Sequence, residues 1–175
     1  MNAIADIKSN DTASTAEAIA FHASSMCGGN WARTKKYFRH EGMHSNVSFI
    51  WDVLCAAGID MPVPHISMFG RPWQLEQWLS ENGFVNVCKG SRGPKAAHPD
   101  SKNIYEIDLM EGDIVVARCG SGFTANIMTM SKSKYEGACL KGVGAYLGDF
   151  ARTHDHCDSK VFRLPAKFKR AYQGR

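Results

Sequence analysis

Apolar residues in the first half of the chain recur three or four positions apart. In the second half they come in short unbroken runs. Ser14 and Glu17 have capping-box spacing ahead of "AEAIAFHASSMC", which predicts a helix from about Thr15 to the Gly28-Gly29 pair. "WARTKKYFRHEG" predicts a second helical piece ending near Gly42, with Trp31, Tyr37 and Phe38 turned inward. In "HSNVSFIWDVLCAAGIDMP" (His44 to Pro62), Val47, Ile50, Val53, Leu54 and Ala57 share one helical face, and Phe49 and Trp51 widen it. This predicts a central helix that Gly58 ends and that Pro62 and Pro64 keep from continuing, with Cys55 as a buried thiol. "RPWQLEQWLSENGF" predicts a fourth helix with Trp73, Leu75, Trp78 and Leu79 as its apolar set.

"EGDIVVAR" reads as a turn leading into a buried strand, "CGSG" as a turn, and "FTANIMTM" as the next strand. The two strands predict a hairpin with a loop of about four residues. "SKVFRLP" reads as a final strand, whereas the Gly-rich "EGACLKGVGAYLGDF" fits no single element. Helices first and a small antiparallel sheet afterwards define an α+β class. The expected layout is a flexible N-terminal arm over residues 1–12 and one domain over 13–175 that ends in a basic tail.

Composition changes this picture little. The chain has 175 residues, 44% hydrophobic and 22% charged, enough to bury a core and unlike a disordered segment. There is no apolar run of transmembrane length, and no basic stretch followed by an apolar block that would read as a signal peptide. The net charge of +4 is weighted to the end, where Lys160, Arg163, Lys167, Lys169, Arg170 and Arg175 follow Asp158 without an acid. This reads as a solvated basic terminus able to meet an anionic polymer or an acidic partner face. No patterned aromatic set is interleaved with it, which argues against nucleic acid as the main ligand. None of the six cysteines (Cys27, Cys55, Cys88, Cys119, Cys139 and Cys157) forms a CxxC pair, so no zinc ribbon is expected, while their even number permits disulfides. "CGSG" and "GSRGP" match no phosphate loop.

The order of "F-I-x-D-V-L-x-x-A-G-I-x-M-P", then "GDIVV", a Gly-rich turn and another strand resembles the NlpC-like and CHAP-like cell-wall amidohydrolases, over about residues 44–131. The resemblance implies a papain-like fold. It also implies a cysteine at the central helix N-terminus, where the helix dipole favours a thiolate, a histidine base on the strand after "GDIVV", and a peptidoglycan stem-peptide amide as substrate. Aligned on this sequence, the cysteine slot falls on Asn46, or on Ser45 with a one-residue insertion. The histidine slot falls on Thr124, or on Phe123 or Ala125 if the register slips. An asparagine amide is no practical nucleophile, and none of those strand residues accepts a proton near neutral pH. Ser45 and Asn46 are also favoured helix-cap residue types, a role worth roughly 1 kcal/mol.

What the resemblance implies, with both slots changed, is a catalytically degenerate amidohydrolase-fold protein acting as a structural or binding component. Examples are a phage virion or tail part, or a cell-wall accessory whose partners are peptidoglycan or other virion and envelope proteins. Its expected location is the virion, or the envelope after lysis or secretion, and otherwise the cytoplasm. The alternative is an active peptidoglycan amidase or endopeptidase, a lysin or antibacterial effector, with a substituted or relocated nucleophile. Ser45, Cys27 and a cleft-lining His65 are its candidates, although a helix C-terminus disfavours a Cys27 thiolate. "THDHCDS" reads as a polar turn before the last strand. As a strand edge it would set His154 and His156 on one face beside Cys157, a weak metal-ligand set. No cofactor is expected.

Overall fold

The computed structural model describes residues 15–27, 45–63, 71–90, 98–120, 122–141 and 144–165. Among the described residues three helices come first: α1 (Thr15–Ser25), α2 (Ser45–Ala56) and α3 (Pro72–Glu81). They are followed by β1 (Val85–Asn86), β2 (Ile114–Cys119), β3 (Gly122–Met128), β4 (Glu136–Lys141), β5 (Gly144–Asp149), the short helix α4 (Phe150–His154) and β6 (Asp158–Arg163). The strands form one open antiparallel sheet in the order β1-β6-β2-β3-β4-β5. The α+β class follows directly. Among the described residues, no helix is long and apolar enough to cross a membrane.

The sheet has a core on each face. Ile114, Val116, Ala125, Ile127, Ala138 and Phe162 point to one side and pack against Ile19, Val47, Ile50, Val53, Leu54, Leu75 and Leu79 of α1, α2 and α3. Val115, Ala117, Met128, Cys157 and Val161 point to the other, under Ile104, Phe150 and Ala151. Covering on both faces explains why β2 opens with the unbroken run Ile114 to Ala117, every residue of it buried. The second core also explains the topology. From the edge strand β5 the chain crosses that face through α4 and enters the slot between β1 and β2 as β6.

Local signals position the helices. Pro72 occupies the first turn of α3, where its missing N–H costs nothing. Gly58 ends α2 at φ +79, and the N–H of Ile59 donates back to the Leu54 carbonyl oxygen at 3.0 Å. Asn46, expected as the cap, lies one residue inside α2 and is buried.

Several expectations need correction. The uninterpretable Gly-rich segment contains β4, β5 and the start of α4. The β2–β3 hairpin turns in two residues, not four, since Cys119 pairs with Gly122. Trp73 is about half exposed, and its place among the buried residues of α3 is taken by Glu76. Cys55 is exposed. Lys160 and Arg163 are not tail residues: β6 holds both in the sheet, where each pairs with a buried acid. The expected arm, the helical piece from Trp31 to Gly42 and the last ten residues lie outside the described residues.

Candidate functional site

Two ion-pair sets brace the β2–β6 part of the sheet. Glu76 of α3 accepts from Arg118 Nε and Nη2 on β2 and from Lys160 Nζ on β6, at 2.7–3.1 Å. It therefore anchors α3 across the β2–β6 seam. On the opposite face, fully buried Asp113 accepts from Arg163 Nε and Nη2, both at 2.7 Å, and from the N–H of Met110 at 2.8 Å. Hydrogen bonding to Asp113 holds the Arg163 guanidinium above its already high ordinary value.

Helix α2 rests on β3 and β4, so the side of β3 facing it would carry any base for a nucleophile at its N-terminus. Ala125 pairs with Val116 and belongs to the helix-side core. Phe123 also packs against that core. Thr124 pairs with Ala117, whose side chain belongs to the core on the other face. The ladder thus directs Thr124 away from the face on which α2 lies, and does not bring Asn46 and Thr124 together. Ser45 opens the helix backbone. His65 lies outside the described residues.

Cys27 sits in the turn after α1. Its thiol donates to the Ala23 carbonyl oxygen at 3.3 Å. Burial first, then the nearby Cys139 and Glu136, pushes this thiol up to about 12. Such a group is protonated throughout the neutral range and is no activated nucleophile. Glu136 has the opposite character. Ser131 Oγ and Thr129 Oγ1 both donate to its Oε1, and these hydrogen bonds, Ser131 foremost, hold the carboxyl below its usual range despite burial. It therefore works as a fixed anion that closes the β3–β4 connection.

The "THDHCDS" stretch is not a strand edge. His154 ends α4 and stacks on Phe150 with ring centroids 4.5 Å apart, while His156 lies in the following turn, exposed. Cys157 is disulfide-bonded to Cys119, directly across the β2–β6 end. With a sequence separation of 38 residues, chain entropy alone makes this link worth about 4 kcal/mol. No motif marks Cys119 in the sequence. Its signal was positional: a cysteine closing one strand before a hairpin turn and another just ahead of the strand that returns beside it. The Glu76 and Asp113 sites carry no motif, because their cationic partners come from segments 42 to 84 residues away.

Three helices on one face of a six-stranded antiparallel sheet, with the short α4 on the other, define an α+β protein among the described residues. Comparison with protein-family models, curated proteins and solved structures finds no match.

Proposed function

We infer that this chain uses a papain-like, NlpC/CHAP-type frame without its amide-hydrolysing chemistry, as a structural or binding component of a cell envelope or virion. The observation that carries this reading is the placement of the two family slots. Asn46 is buried in the first turn of α2, and Thr124 is registered to the far side of the sheet. The rest of the motif frame supports it: the "FIWDVLCA" stretch lies in a helix packed on the sheet, and "GDIVV" leads into the first strand of the β2–β3 hairpin. Neither an amide at position 46 nor a hydroxyl at position 124 supplies a nucleophile with its base. The protonated Cys27 thiol speaks against a relocated cysteine nucleophile.

The proposed ligand is peptidoglycan or a protein assembled on it. Purified chain is incubated with intact sacculi, and the pellet and supernatant are assayed separately. The expected result is co-sedimentation of the chain with no new amino groups in the supernatant. Saturable release of stem peptides would falsify the degenerate assignment. Failure to sediment at any salt concentration removes peptidoglycan as the ligand.

A further inference from the structure

The end of the β2–β6 ladder carries three metal-ligating side chains on one spot. Cys119 closes β2, and Cys157 stands opposite it with Cα atoms 4.9 Å apart. His156 adjoins Cys157 in the turn, and one ligand atom from each of the three lies within 4.8 Å of the others. Beside them, Asp155 Oδ1 lies 3.4 Å from His156 Nδ1. A carboxylate at that nitrogen is the usual outer partner of a metal-binding histidine: it orients the ring and strengthens the donor.

We propose that the reduced chain binds a thiophilic divalent cation, zinc by preference, through Cys119, Cys157 and His156, and that the disulfide is the metal-free, oxidised form of the same site. Two thiolates and an imidazole match zinc in type and leave a fourth position for water. The two forms exclude each other, because the disulfide uses both sulfurs.

The exchange balances with a dithiol as reductant. One thiolate of the reductant attacks Sγ of Cys119, the less buried residue of the pair, and the S–S electrons leave with Cys157 as its thiolate. The second thiol of the reductant attacks the mixed disulfide, releases Cys119 and departs in a disulfide of its own. The cation then replaces the two thiol protons, which pass to solvent, and takes the lone pair of neutral His156. The strands need not separate. The ladder from Ile114 to Arg118 pairs with β6 independently of the sulfur link.

The test uses Co2+ as the probe on the full chain, oxidised and dithiol-reduced, with Zn2+ as competitor. The proposal expects about one Co2+ per reduced chain, with thiolate-to-metal charge-transfer and tetrahedral ligand-field absorption that Zn2+ abolishes, and none for the oxidised chain. His156→Ala and Asp155→Asn change exposed residues of a turn, so they leave the fold in place and should weaken binding about tenfold or more. Cys119→Ser with Cys157→Ser should lose the charge-transfer band. Equal Co2+ uptake by the reduced chain and this double variant would assign the signal to the other four cysteines and overturn the proposal. Unchanged affinity in His156→Ala overturns it as well, and does so even if the double variant fails to fold.

Discussion

Replacing Glu76 with glutamine removes the one anion between Arg118 and Lys160 and changes almost nothing else. Glutamine keeps the length and helix preference of glutamate, so α3 itself is not at stake. Three hydrogen bonds from Arg118 and one from Lys160 lose their charge assistance. The two cations are left facing each other with side chains only 18% and 16% exposed, too enclosed for water to replace the carboxylate fully. Breaking a buried ion pair from one side costs about 3–5 kcal/mol. Residual hydration of the two cations places this case at the lower end, about 3 kcal/mol. For a chain of this size that corresponds to a fall in Tm of about 6–12 °C. The assay is thermal and urea unfolding followed by circular dichroism, with the disulfide intact. A second variant isolates the cause. Exchanging Glu76, Arg118 and Lys160 together for methionine removes the desolvation penalty along with the attraction, and should return stability to within about 1 kcal/mol of the parent. A Glu76→Gln protein as stable as the parent, or a triple variant less stable than the single one, would refute the reasoning.

Further outcomes follow from the same geometry. Gly112 has φ +81, and a Cβ there would meet the Ala16 carbonyl oxygen at 2.6 Å and its Cα at 2.7 Å, so Gly112→Ala should cost roughly 3 kcal/mol in urea unfolding through strain and displacement of α1. Glu136 has a folded-state carboxyl held below its unfolded value, so its contribution is complete above the usual carboxylate range and is lost as pH falls through the depressed value. Stability measured from pH 6 downward should therefore fall less steeply in Glu136→Gln than in the parent. Cys27, with its thiol at about 12, should be alkylated by iodoacetamide at pH 8 far more slowly than exposed Cys55, as peptide mapping by mass spectrometry would show. Rapid modification of Cys27 would reopen it as a nucleophile.

The local elements were legible where a short-range pattern dictated them. The α1 start at Thr15, the α2 face, the Gly58 stop and the buried β2 run all follow from spacing within a dozen residues. What escaped depends on pairing that apolar spacing does not report. β4 and β5 carry glycines and short side chains that make a weak apolar alternation, and they become strands by pairing with each other and with β3. Lys160 and Arg163 read as tail charge because their anions, Glu76 and Asp113, lie 84 and 50 residues away. The same holds at the candidate site. The resemblance puts its two slots on Asn46 and Thr124, but only the sheet register determines which face Thr124 takes. The disulfide likewise required the β2–β6 pairing to place Cys119 opposite Cys157.

Whether the α2 N-terminus performs chemistry is measured by the release of stem peptides and free amino groups from purified peptidoglycan. Wild-type chain should be followed by mass spectrometry beside Asn46→Ala and Ser45→Ala variants, at high protein loading and over long incubation. All three should give the buffer background. Release by the wild type that either substitution abolishes would contradict it and restore this helix as the seat of a working nucleophile.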